Sequence, residues 1–216
     1  MSQYTIRRVD GSDRRTLDQI MRLFDQQLGL GTGPGTRAQM LQDLADPAFA
    51  AFAAHSVPPG TVLGAASVRL LTAEGYRRLA ATLPPDTLPA WDDSGRPGLL
   101  DLIAVDPAHR GHRVGKRLLD SLLGWLRGQG CRDVYVLHWP SFPGASSKPL
   151  LLSAGFTVVR SLPGYWSSDP MDAGSRCLRC GRPCHCTADL LHLPLTPSST
   201  GRTTIGSHEE VSESSP

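Results

Sequence analysis

The stretch from Leu99 to Trp139 constrains the fold of this chain more than any other part of it. Leu99 to Val105 is a nearly continuous apolar run broken only by Asp101, as a strand covered on both faces reads, and Asp106-Pro107 ends it. After the loop Arg110-Gly111-His112-Arg113-Val114-Gly115-Lys116, the apolar residues Leu118, Leu119, Leu122, Leu123 and Leu126 fall on one side of a helix that stops at Gly128 and Gly130. Val134 to Trp139 is strand-like again. Strand, glycine-containing loop, helix and strand in this order predict a parallel βαβ unit, which places its first loop at a ligand-binding edge.

The loop has the chemistry of an anion site. The first amides of a helix lack carbonyl partners and lie at its positive end, and small residues let a phosphate approach them. The spacing is not that of a Walker A loop, because three residues separate Gly111 from Gly115 and Arg117 follows Lys116. A dinucleotide fingerprint is also missing. Taken alone, the loop is equally compatible with an ordinary tight turn carrying solvated basic residues.

The flanking sequence fits a single α/β domain over residues 1–195. Tyr4 to Val9 alternates as a strand does, Ser12-Asp13 offers capping oxygens, and Leu17, Ile20, Met21, Phe24 and Leu28 recur at helical spacing. Gly29, Gly31, Gly33 and Gly35 follow a helix and not a strand, which reads as a flexible connector, with Thr36 capping a second helix. Phe49–Ala54 and Val62–Leu71 form a predicted hairpin around Pro58-Pro59-Gly60. A helix over 73–83, a Pro-rich loop to residue 97 (73–97 together reading as an insertion), a short helix near Ser147–Ala154 and strands from Thr157 and Ala188 complete the pattern. Residues 196–216 show no apolar periodicity and are expected to be disordered.

Charge excludes some partners. The 22 Lys+Arg against 20 Asp+Glu leave a net charge of +2, too balanced for a nucleic-acid surface. No apolar run approaches a membrane span and no signal peptide opens the chain, so a cytoplasmic protein without a membrane partner is expected.

Leu102-Ile103-Ala104-Val105-Asp106-Pro107-Ala108-His109-Arg110-Gly111, then Val114-Gly115-Lys116-Arg117-Leu118-Leu119 and the later Gly155-Phe156 turn, resemble the GNAT superfamily of acyl-CoA-dependent N-acyltransferases. The resemblance covers about 60 residues strongly. It implies a mixed, mostly antiparallel central sheet with flanking helices and a parallel βαβ cofactor unit. It also implies transfer of an acetyl group from acetyl-CoA to a primary amine on a small molecule or peptide, and leaves a homodimer open. Ile103, Ala104 and Val105 would then offer backbone groups to the pantetheine arm, and Arg110, Gly111, His112, Arg113, Val114, Gly115 and Lys116 would hold the pyrophosphate. The family usually has glycine at the position of Arg113, and many members have a proton-donating Tyr at the position of Leu151. A domain that binds acyl-CoA without turnover is therefore the rival reading.

Acyl transfer to an amine needs a base, a polarised thioester and a proton for the leaving thiolate. Asp101 is the one charged residue in the cofactor strand, and simple alternation puts it on a face with Ile103 and Val105, as a base or as a structural carboxylate. Tyr135, His138 and Tyr165 are candidates to replace the missing acid, each with packing as its ordinary role.

Of five cysteines, four fall at Cys177, Cys180, Cys184 and Cys186. Cys177-x-x-Cys180-Gly181 has the form of a metal knuckle, and four thiolates suit tetrahedral zinc in a structural role. His185 or His192 in place of one sulfur, an iron-sulfur cluster, and unligated thiols are the alternatives.

Overall fold

The structure, a computed structural model, describes residues 4–58, 60–92, 95–139, 146–167, 176–181 and 183–195; the C-terminal tail expected to be disordered lies outside them. The elements are β1 (Tyr4–Arg8), α1 (Arg14–Leu28), α2 (Pro34–Ala45), β2 (Phe49–Ser56), β3 (Val62–Leu70), α3 (Ala73–Ala81), β4 (Gly98–Val105), α4 (Val114–Gly128), β5 (Asp133–His138), α5 (Lys148–Ser153), β6 (Thr157–Leu162) and β7 (Ala188–Pro194). They build one seven-stranded sheet in the order β1-β2-β3-β4-β5-β7-β6, antiparallel except for the β4–β5 pair. The mixed α/β architecture expected from the sequence is what forms. No helix among the described residues is long and apolar enough to cross a membrane.

Helix α4 anchors one face of the sheet. Its Val114, Leu118, Leu119, Leu122, Leu123 and Leu126 are buried with Leu151 of α5, Val68, Leu100, Val134 and Leu191. Burying a leucine of this kind contributes about 2 kcal/mol, so the stripe read from the sequence is the main adhesive on this face. The opposite face carries α1, which buries Leu17, Ile20, Leu23 and Phe24 against Ala51, Ala65 and Ala104. Beside it α3 packs Tyr76 and Leu79 against Tyr135 and Leu190.

Two local starts show how residues set element bounds. Asp13 caps α1 by accepting from the Thr16 amide at 3.0 Å. Helix α2 begins earlier than expected, at Pro34 after a Gly33 cap, and Thr36 lies inside it; proline is preorganised for a first helical position, where its missing N–H is not needed.

One irregularity in β4 decides where the site lies. Val68 pairs with Leu100 and Ser67 with Leu102, so Asp101 is an extra residue bulged out of the ladder. A bulge bends its strand. The parallel ladder with β5 contains Gly98↔Val134, Leu99↔Tyr135 and Leu100↔Val136 and stops there, although β4 continues to Val105 and β5 to His138. The two strands therefore part at Asp101.

Candidate active site and cysteine cluster

Among the described residues the β5 side of β4 has no strand partner above Leu100, and Leu102, Ile103 and Val105 are half-buried although they lie mid-sheet. Ile103, Ala104 and Val105, the three residues expected to line a pantetheine arm, lie on this unpaired stretch of β4.

The loop at the top of β4 is shaped around the start of α4. The Asp106 carboxylate accepts from the Ala108 amide at 2.8 Å, Gly111 turns with φ +76°, and Arg113 holds φ +62° as the residue before the helix. Arg117 donates to the Arg113 carbonyl at 3.0 Å as the helix starts; the amides of Val114, Gly115 and Lys116 precede it at the positive helix end. A Cβ at Gly115 would meet Leu150 at 3.2 Å and Val105 at 3.5 Å, so glycine lets this end of α4 sit close to both β4 and α5.

The loop's cations are not equivalent. Arg110 is exposed but held, donating to the Val105 carbonyl at 3.3 Å and to Gln27 Oε1 of α1 at 2.6 Å. Lys116 pairs with Asp120 at 2.9 Å, and the His112 ring lies 2.8 Å from the Arg110 carbonyl. Arg113 is exposed and makes no such contact among the described residues. Its left-handed backbone explains why glycine is usual there: an L-residue pays a steric cost in that region.

The bulge corrects the expected orientation of Asp101. Ile103 and Val105 pack with the α4 cluster, whereas the Asp101 carboxylate accepts from Arg69 Nε at 2.7 Å on the α1/α2 face. Arg69 also reaches Asp43 of α2 at 3.3 Å and lies 5.3 Å over the Phe49 ring. Burial pushes the Asp101 carboxyl up to about 6, against the pull of Arg69, with the Asp43 charge adding to the rise. A carboxylate in that range exchanges protons near neutral pH.

His138 ends β5 on the opposite, α4/α5 face and is 4% exposed. Its Nε2 lies 3.1 Å from the Ser146 hydroxyl, and its Nδ1 has no partner among the described residues. Burial holds its pKa below the ordinary value, with Lys148 acting the same way and Asp189 opposing both. Lys148 and Asp189 are themselves paired at 2.7 Å.

Tyr165 lies on the α3 side, its hydroxyl 2.8 Å from that of Thr82 and its ring edge-on to Trp166 at 4.9 Å. Tyr135 packs between Tyr76 and His192, and burial pushes its phenol far up, which fits packing and not proton transfer. Thus Asp101 and His138 lie on opposite faces of the sheet, with Tyr165 on the α3 side. Leu151, at the position of the family's tyrosine, is fully buried in the core.

The four sulfurs of Cys177, Cys180, Cys184 and Cys186 lie within 4.8 Å of one another, four of the six pairs at 3.3, 3.7, 3.7 and 3.8 Å. Zn–S bonds of about 2.3 Å in a tetrahedron place the sulfurs about 3.8 Å apart, near those four separations, so the set is of a size to hold one ion. The Cys180 amide donates to Cys177 Sγ at 3.4 Å, as thiolate knuckles require. His192 is not among the clustered ligand atoms; its Nε2 lies 2.7 Å from Asp133 Oδ1 and its ring is stacked on Tyr135. The cysteine segment, which lies between β6 and β7 in the chain, is also attached to α1: the Arg176 amide donates at 2.7 Å to the carbonyl of Gly29, the residue that caps that helix. Sequence reasoning missed this contact, along with Arg69, Asp43 and Asp189, since each is brought to the site by a distant element.

A sheet that parts beside an amide-lined helix start defines an acyltransferase architecture. Residues 18–156 match the model of the acetyltransferase (GNAT) family, and the chain belongs to that family. No curated protein matches it in sequence. Among solved structures, it is similar to Arabidopsis thaliana NAA60 in complex with acetyl-CoA (16% identity, TM-score 0.61, covering 89% of this chain and 99% of that one). It is likewise similar to a chain of the NatC complex bound to Gag peptide and CoA (15% identity, TM-score 0.63, 90% and 99%). Drosophila melanogaster polyamine N-acetyltransferase shares the fold at 17% identity and a TM-score of 0.59, covering 89% and 100%. At such identities the likeness carries the fold alone.

Proposed function

We propose that the protein transfers an acetyl group from acetyl-CoA to a primary amine, with the acceptor approaching from the α1/α2 face and the thiolate leaving on the α4/α5 face. The observation that carries this reading is the end of the β4–β5 ladder at the bulged Asp101, beside the amides that open α4. The family relation and the acetyl-CoA, peptide and polyamine chemistry of similar structures support it.

The pyrophosphate would rest on the Val114–Lys116 amides and the pantetheine along Ile103 to Val105, which brings the thioester to the fork of the strands. In the bond-making step the amine nitrogen joins the acetyl carbonyl carbon and the C–S bond breaks. Asp101 takes the amine proton, directly or through one water. His138 in its imidazolium form gives its Nδ1 proton to the thiolate, leaving CoA, an amide and a neutral imidazole whose Nε2–H donates to the Ser146 hydroxyl. Positioning by the strand and loop supplies much of the acceleration. Tyr165 and Thr82 belong to the acceptor side in this reading.

The cysteine cluster holds one zinc ion in the same reading, in a reducing cytoplasm that keeps its thiolates available. With four protein sulfurs bound, the ion has no open position for catalysis and is structural.

A second reading, acyl-CoA binding without turnover, is favoured by one observation: Leu151 fills the family's acid position inside the core. Free-thiol release from acetyl-CoA decides between them, measured against spermidine, agmatine, kanamycin and peptides with free amino termini. Amine-dependent thiol release supports the transferase. CoA binding by calorimetry with no release across the panel selects the binding protein, and no CoA binding by folded protein removes both.

A further inference from the structure

We infer that the cysteine knuckle is a metal-dependent clasp which holds the end of α1 across the mouth of the β4–β5 gap, and so sets the wall past which the acceptor must enter. This rests on the proposed zinc site and on the proposed cleft.

The topology puts the clasp where the gap opens. Strand β7 runs antiparallel to β5, with His138 opposite Asp189, so the end of β6 at Leu162 and the start of β7 at Ala188 lie at the end of the sheet where β4 and β5 have parted. Helix α1 packs over Ala104 and Leu102 of β4 and ends beside the phosphate loop, where Gln27 receives Arg110. The knuckle comes from the β7 side of the gap and α1 from the β4 side. Their meeting therefore spans it.

The contact is specific in shape. Gly29 caps α1 with φ +73°, its amide donating to the Asp25 carbonyl at 2.8 Å and its carbonyl accepting from Arg176 at 2.7 Å. A Cβ at Gly29 would stand 2.0 Å from the Arg176 carbonyl oxygen and 3.2 Å from Leu178. Only glycine admits the knuckle this closely, and Leu178, between the first two cysteines, covers the cap.

The knuckle has little else to hold its form. Arg176, Arg179, Cys180, Gly181 and His185 are exposed, and the described segment has one backbone bridge, from the Gly181 amide to the Cys177 carbonyl at 2.9 Å. Short segments without a core depend on a cross-link or a metal for a fixed shape. The sulfur tetrahedron is the element that can supply it, and the clasp is closed when the ion is bound.

Hydrogen exchange on the full chain tests this, with zinc-loaded protein compared to protein stripped by a chelator and to stripped protein given back Zn²⁺. Stripping should raise exchange over residues 25–33 at least tenfold, Zn²⁺ should reverse it, and CoA affinity by calorimetry should change less than threefold, because the α4 amides do not touch the knuckle. Leu178→Ala, which leaves four sulfurs in place, should keep one equivalent of metal and still raise exchange over 25–33. Metal-independent exchange there, purified protein with no bound ion, a Leu178→Ala protein protected like the parent, or stripping that also abolishes CoA binding would each overturn the clasp. Zinc-loaded protein that shows the protection but binds no CoA would overturn the transferase reading and leave the clasp standing, so the two fail separately.

Discussion

Arg69 Nε donates to the Asp101 carboxylate at 2.7 Å at the point where β4 bulges away from β5. One extra residue in the strand thus does two things: it opens the gap, and it turns an ionisable side chain to the α1/α2 face. The carboxyl is held between two influences, burial raising its pKa and the guanidinium lowering it, and the balance falls at about 6.

Asp101→Asn keeps the shape and removes the proton acceptor, so kcat should fall by roughly 10²-fold or more while acetyl-CoA affinity stays within threefold. Steady-state thiol release and calorimetry give the two numbers. Equal loss in both would make Asp101 structural.

The pH profile carries the sign of the Arg69 interaction. Activity should rise with pH through an acid limb near 6 as Asp101 loses its proton. Arg69→Met removes the charge that favours the carboxylate, so the limb should move to higher pH, and it should vanish in Asp101→Asn. A limb that does not move in Arg69→Met would separate Asp101 from the titration.

What was legible in the sequence was local. The β4 run, the Arg110–Lys116 loop and the leucine stripe of α4 are contiguous, and each carries its own periodicity, so their order alone disclosed the cofactor half of the domain. The face of Asp101 was not legible, because alternation assumes an unbroken ladder and a bulge is visible only against the partner strand. The connector at Gly29 read as flexible for a similar reason. Its glycine is there for the close approach of Arg176, and nothing within a short window of either residue announces the other. The cysteine spacing suggested a metal site because ligands within a span of ten residues are themselves local.

Arg113 is a place where the backbone and the residue disagree. Its φ of +62° costs an L-residue about 1 kcal/mol that glycine avoids. Arg113→Gly should therefore raise the melting temperature by about 2–4 °C, the shift that 1 kcal/mol gives a chain of this size. Arg113→Ala keeps the strained backbone and should not stabilise. If the guanidinium also meets a CoA phosphate, both variants lose affinity for CoA together, and desphospho-CoA analogues identify which phosphate.

His138 offers a different signature. His138→Gln fills a similar volume but offers no imidazole proton, so kcat should drop about 10²-fold with acetyl-CoA binding unchanged. Ser146→Ala should have a smaller effect of the same kind, since it removes the hydroxyl 3.1 Å from Nε2 that selects the tautomer. A fall in melting temperature with unchanged kcat would return His138 to a packing role.

The fifth cysteine supplies the control for the metal. Cys131 is buried beside the Asp133 carbonyl at 3.2 Å, burial pushes its thiol up to about 11, and it lies outside the sulfur cluster. A thiol reagent should therefore find no fast-reacting sulfur in zinc-loaded native protein and four after chelation, with Cys131 titrating only on unfolding. Cys131→Ser should retain one equivalent of metal, whereas Cys180→Ser, which removes a sulfur lying 3.3 to 3.7 Å from the other three, should lose most of it. Four fast thiols before chelation would mean that the tetrahedron stands without an ion, and the β6–β7 connection would then have to be held by its contact with α1 instead of holding it.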